Sequence, residues 1–197
     1  SGGTSRPVDP LEDRRFVPIL TAVLLVLALV QLYPGWLNWN HTMPGNWRHP
    51  DTISNLWLYR WIPEQLLAGE SILHNYAYYA PIGDAPWLAG NGSDAIAFTL
   101  FYALLPWPLS VNLWIALALV LNGLAGFMIA RQVGASRGAS LVAGATLAFS
   151  PYVAWECSCA RYAQVPLYWF GFFLAAWLAL LRDAPQGVAP SEIWEAL

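Results

Sequence analysis

"LSVNLWIALALVLNGLAGFMIA", Leu109 to Ala130, is an apolar run without a single charge. A helix needs about 20 mostly apolar residues to cross the hydrocarbon core of a bilayer, and this run supplies them. Three other runs meet the same requirement: Phe16 to Tyr33, Ala139 to Trp155 and Tyr162 to Leu181. Charge is absent all the way from Asp94 to Arg131, which is too long for one ordinary span, and Pro106-Trp107-Pro108 divides it. Ala95 to Leu105 therefore reads as a separate interfacial or re-entrant helix that ends at those prolines.

Composition points the same way. With 57% hydrophobic residues, 12 tryptophans, 11% charged residues and no lysine, the chain has too little polar material to cover a soluble globule of 197 residues. A formal charge of -3 and nine scattered arginines leave no basic patch for nucleic acid. The expected fold is all-α and polytopic, with about four spans, an extracytoplasmic amphipathic helix and the short interfacial or re-entrant helix. Residues 1–15 form a cytoplasmic tail, 16–182 the transmembrane domain with a large outer loop over 34–108, and 183–197 a cytoplasmic segment that starts a continuation.

Arginine placement sets the orientation, because cytoplasmic loops keep the positive charge. Arg14 and Arg15 precede the first run, Arg131 and Arg137 flank the turn between the second and third, and Arg182 closes the fourth. All fall on one side if the spans alternate, so the expected location is the inner (plasma) membrane with a cytoplasmic N-terminus. Trp36, Trp39, Trp107 and Trp155 mark the outer interface, where indole rings settle. A cleaved signal peptide is the rival reading of the first run, but "QLYPGWLNWN" lacks a small-x-small cleavage pattern. The missing initial methionine and the ending "APSEIWEAL" read as the N-terminal part of a longer protein. Gly123, Gly126 and Ala130, facing Ser140, Gly144 and Ala148, would let the second and third helices approach closely.

An ionisable side chain costs about 2.5 to 3.5 kcal/mol at the centre of a membrane helix. The four runs contain no Asp, Glu, Arg or His, so a proton or ion pathway through them is disfavoured and a site on the outer face is favoured. His41, His49 and His74, the acids Asp51, Asp84, Asp94 and Glu156, and Arg48, Arg60 and Arg161 all lie outside the runs. In "HPDTISNLWLYRWIPEQLLAGE", His49 to Glu70, Asp51 has the position of a helix N-cap. Such an exposed carboxylate can also act as general base or metal ligand toward a lipid-linked substrate, and the two roles can coexist. The helix it starts carries an aromatic stripe suited to a membrane surface, with Pro63 ending or kinking it. "HNYAYYAPIGDAPWLAGNGSD" reads as tight turns. Its tyrosines and Trp87 suit sugar or headgroup recognition, or simply wedge the loop onto the bilayer. Asn40-His41-Thr42 and Asn91-Gly92-Ser93 match the glycosylation pattern. Cys157 and Cys159 are poorly spaced for a mutual disulfide, and no second pair completes a zinc site.

In order along the chain stand "HPD", "LLAGE", "YYAPIG", the Ser110–Gly144 segment "SVNLWIALALVLNGLAGFMIARQVGASRGASLVAG" and "FSPYVAWECSCARYAQVPL". From His49 to Arg182 this series resembles bacterial membrane proteins of the GT-C superfamily of glycosyltransferases, and within it the YfhO-like branch. The resemblance implies sugar transfer, usually with inversion, from a polyprenyl-phosphate donor at the outer face. It implies that Asp51 activates the acceptor or helps bind a divalent metal, that Tyr79-x-Pro81-x-Gly83 shapes the loop, and that Arg161 and Gln164 form an Arg-x-x-Gln pair. Arginine there would contact a phosphate through charge-assisted bonds. His49, Tyr79, Asp84 and Asp94 join them as candidate substrate contacts. The acceptor is open, no D-x-D pair follows the first span, and a second catalytic acid is open among Asp84, Asp94 and Glu156. Two rival functions remain: a non-catalytic membrane subunit docking a protein partner through its outer loop, and a transporter of lipids or lipid-linked glycans.

Overall fold

The computed structural model describes residues 15–46, 48, 50–79, 83–86 and 92–183. These residues are mostly helical. The elements are α1 (Val17–Gln31), α2 (Pro50–Ala68), β1 (His74–Tyr79), β2 (Gly83–Pro86), α3 (Gly92–Leu104), α4 (Trp107–Gln132), α5 (Arg137–Ala148), α6 (Pro151–Ser158) and α7 (Tyr168–Asp183), with 3₁₀ turns at Gly35–Asn38 and Tyr162–Gln164. The two strands pair as an antiparallel hairpin, His74 opposite Pro86 and Tyr79 opposite Gly83. A small β element thus joins a fold expected to be purely helical.

Two helical segments, Trp107–Gln132 and Tyr162–Arg182, are long and apolar enough to cross a membrane. The first expected run forms α1, apolar but only 15 residues long, or about 22 Å at 1.5 Å per residue. The expectation of one unbroken helix over Ala139 to Trp155 is corrected: the run divides into α5 and α6. Pro151 cannot donate to the ladder and its ring crowds the preceding turn. Ser150 instead opens a new helix, its side chain accepting from the Val153 amide. Pro63, by contrast, does not end α2, which runs through it to Ala68.

Everything packs around α4. Phe16 stacks on Phe127 at 5.8 Å, and Leu24 fills the space beside Gly123, so α1 runs antiparallel to α4. Leu20, Leu24 and Ala28, four residues apart, are the buried stripe of α1, while Ile19, Val26 and Val30 point outward. Gly123, Gly126 and Gly144 bring α5 into near-backbone contact with α4. Alongside lies α7, parallel to α4: Gly171 meets Ala125, and Arg182 Nη1 donates to Gln132 Oε1 at 2.9 Å. These pairings gather Arg15, Arg131, Arg137 and Arg182 at one end of the bundle. The N-termini of α3 and α4, joined by the Trp114–Asp94 hydrogen bond, belong to the other half.

The α4–α5 contact gives a sharp contrast between two glycines. A Cβ on Gly144 would sit 2.6 Å from the Gly123 carbonyl oxygen, a backbone atom that cannot rotate away, whereas one on Gly138 meets nothing within 4 Å. Gly144→Ala is expected to lower stability by about 1 to 3 kcal/mol through overpacking. Gly138→Ala should be neutral or stabilising by up to about 1 kcal/mol. Thermal unfolding midpoints of the two variants in one detergent check this, and equal midpoints would contradict it.

Candidate functional site

Between α6 and α7 the chain leaves helical geometry while still inside the protein, so its peptide groups need partners from elsewhere. Side chains of other helices supply them. Thr52 donates to the Cys159 carbonyl at 2.9 Å, and Asn55 Oδ1 accepts from the Ala163 amide at 3.2 Å. Past the midpoint of α4, Asn122 donates to the Val165 carbonyl and accepts from the Leu167 amide, both at 2.9 Å. Thr52, Asn55 and Asn122 are all buried. The loop after α1 covers the break from above. Gly45, at φ +111, packs so tightly that a Cβ would lie 2.7 Å from both the Ala160 nitrogen and the Cys157 oxygen. Ala160 itself adopts a left-handed φ of 54°, a conformation that side-chain-bearing residues seldom take.

This turn delivers Arg161 to a cluster at the surface. Its guanidinium grips the buried Glu156 carboxylate with two nitrogens. Nη1 donates to Asp51 Oδ2 at 3.3 Å and Nη2 to Gln164 Oε1 at 2.8 Å. Hydrogen bonding to Glu156, followed by its charge, raises the Arg161 pKa above its ordinary value, so this arginine stays charged. Glu156 is 1% exposed and Asp51 about half exposed. The cluster is thus one accessible carboxylate held by an arginine that is itself fixed from behind.

A second centre surrounds Asp94. The carboxylate is 1% exposed and accepts from four aromatic side chains: the Tyr59 hydroxyl, Trp114 Nε1 at 3.1 Å, the Tyr168 hydroxyl at 2.9 Å and Trp169 Nε1 at 3.4 Å. It ties α2, α3, α4 and α7 together. Phe98 lies beneath, edge-on to Tyr59 at 5.1 Å and to Trp114 at 5.9 Å. Burial pushes the Asp94 carboxyl above the usual range, against the opposing pull of the four donors. Burial and the adjacent carboxylate raise Tyr59 as well, keeping its hydroxyl protonated.

Of the candidates read from the sequence, Asp51, Arg161 and Gln164 come together. Asp51 is not the N-cap that its position suggested: α2 already begins at Pro50, and Asp51 lies in the first turn, where the helix dipole favours a carboxylate. Asp94 is not on a substrate-facing surface but enclosed. Tyr79 and Asp84 occupy the hairpin strands, where only the backbone is described, and His49 lies outside the described residues. Glu156, one of the open acids, is the partner of Arg161. Cys157 and Cys159 are free and buried, and burial pushes the Cys157 thiol up to about 12, far from a reactive thiolate. A divalent metal does not fit the acidic cluster. The Arg161 guanidinium occupies the space between Asp51 and Glu156, and among the described residues no three His, Cys, Asp or Glu converge. Sequence reasoning missed the satisfying amides, although Asn112 and Asn122 inside an apolar run were a visible signal. The donors around Asp94 left no local signal. No protein-family model, curated protein or solved structure matches the chain.

The raised Asp94 value carries a pH consequence. The folded chain holds this proton more tightly than the unfolded chain, whose Asp titrates near about 3.9. The resulting stabilisation is complete below that pH and is lost as pH rises through the folded value. Relative to Asp94→Asn, which cannot titrate, the native protein should lose stability as pH rises from about 4 until it passes the folded value, and then level off. Paired thermal unfolding curves from pH 4 to 8 measure the difference. A native advantage that grows with pH would show that the four donors, not burial, control the carboxyl.

Proposed function

We propose that the chain is a multi-pass membrane protein that transfers a sugar from a polyprenyl-phosphate donor to an acceptor hydroxyl, at the end of the bundle opposite Arg15, Arg131, Arg137 and Arg182. The positive-inside rule makes the end with Arg15, Arg131, Arg137 and Arg182 cytoplasmic, and the Asp51 cluster then faces outward. One observation carries the reading: an accessible carboxylate, Asp51, is held 3.3 Å from Arg161, which is clamped from behind by buried Glu156. Fixing a base in place before the substrate arrives lowers the ordering cost at reaction. In the step, the acceptor oxygen bonds to the anomeric carbon as the carbon–oxygen bond to phosphate breaks. The acceptor proton passes to Asp51, and the polyprenyl phosphate leaves with the bonding pair. No metal enters the step. Arg161 is a positioning residue here, because its nitrogens are already engaged.

That same engagement favours a second reading. Nε, Nη1 and Nη2 of Arg161 all have protein acceptors, as in a purely structural tie between α2 and the α6–α7 turn, and such a chain would serve as a non-catalytic subunit. Asp51→Asn separates the two. Asp51 is about half exposed, so losing its ion pair should cost at most about 1 kcal/mol. With radiolabelled polyprenyl-phosphate sugars as donors, loss of a general base should cut turnover about 10²- to 10⁴-fold while donor binding persists. Full turnover in a folded Asp51→Asn protein would leave the structural tie.

A further inference from the structure

At the C-terminal end of α1, a cleft and a groove meet at Tyr33. The cleft, about 570 Å³, is lined by Gln31, Asn38, Thr42, Met43, Cys157 and Ser158 among others. The groove, about 380 Å³, is lined by Val26, Leu29, Val30, Tyr33 and Trp36. Gln31 Nε2 is buried and has no hydrogen-bond partner among the described residues. A buried amide donor without an acceptor is costly. The Gln31 side chain borders the cleft, so a rotation of its terminal amide would bring Nε2 to an acceptor entering there.

We propose that cleft and groove form one binding site for a neutral, ester-bearing membrane lipid of the diacylglycerol type, its carbonyl accepting from Gln31 and one acyl chain lying in the groove. The groove opens on the outward, apolar side of α1, where Val26 is 60% and Val30 67% exposed. In a membrane that side meets hydrocarbon. Tyr33 and Trp36 stand at the junction, with the amphipathic rings that favour the headgroup boundary. Among the described residues the lining of both spaces contains no charged side chain, so an anionic headgroup would be desolvated there without a counter-charge from them. A helix from a second chain could cover the groove, but its carbonyls are committed to its own ladder and leave Gln31 unsatisfied. The site is separate from the Asp51 cluster. It rests on the membrane reading and not on the proposed reaction.

The test uses the full chain in phosphatidylcholine vesicles with a trace of diacylglycerol carrying a photoreactive diazirine on one acyl chain. Label should concentrate on the peptide spanning residues 26–36. Val30→Trp, which fills the groove, should remove it. Gln31→Leu should weaken it about 3- to 10-fold, the worth of one neutral hydrogen bond. A phosphatidylglycerol probe with the same chain should label this peptide less. Because Val30 points outward, Val30→Trp keeps the question answerable if Gln31→Leu does not fold. Label spread evenly onto Phe170 and Phe173 of α7, and indifferent to Val30→Trp, would reduce the site to bulk lipid contact and overturn the proposal alone. Absence of label everywhere would overturn the membrane reading with it. Preference for the anionic probe would contradict the neutral headgroup. A disulfide-linked dimer from Val30→Cys chains without lipid label at the groove would give the surface to a second copy.

Discussion

Peptide groups that leave a helix inside a packed bundle must find partners there, and this constraint organises the molecule. At the break between α6 and α7, an amide of α4 and two polar side chains of α2 replace the missing helical ladder. Each makes the break tolerable and at the same time locks it to a neighbouring helix. Arg161 leaves the break toward Glu156 and Asp51, and Tyr168, just beyond it, reaches Asp94. Both polar centres therefore inherit their geometry from the same few hydrogen bonds.

The two centres use buried carboxylates in opposite ways. Glu156 is paired with a full positive charge whose remaining nitrogen, Nη1, holds the half-exposed Asp51, which suits an arrangement that presents a carboxylate at the surface. Asp94 has only neutral donors, four of them, and is enclosed. A buried charge without a counter-charge is strongly unfavourable, and the raised Asp94 value reflects that penalty. Its reach across α2, α3, α4 and α7 makes it a joint between helices, and the edge-on rings around Phe98 extend the joint into the apolar core.

Much of the helical plan was legible in the sequence because hydrophobic runs and prolines act locally. Leu109 to Ala130 became the interior of α4, and Pro106 separated it from α3. The glycine spacing of α4 and α5 correctly marked their close contact. The division at Pro151 was misread because Ala139 to Trp155 satisfies a hydropathy window, which does not weigh a missing amide donor. Asp51 and Gln164 both lie within hydrogen-bond reach of Arg161, the former a contact between distant segments that no local pattern shows, and nothing in the sequence marked Glu156 as the acid that fills the arginine's fork. Asp94 looked like one more outer-loop acid. Its burial depends on Tyr59, Trp114, Tyr168 and Trp169, which lie on three other helices and share no local pattern with it.

Asn122→Leu tests the central claim most directly, since leucine keeps the approximate volume while removing both hydrogen bonds to the break. Amide hydrogen exchange, followed by mass spectrometry on peptides covering 159–167 and 109–121, reports the result. If side-chain amides hold the break, exchange across 159–167 should accelerate by about 10-fold or more, the consequence of orphaning a buried carbonyl and amide. Residues 109–121 of α4 should stay protected. Unchanged protection over 159–167 in the folded variant would contradict the account, because the break would then be held by packing alone.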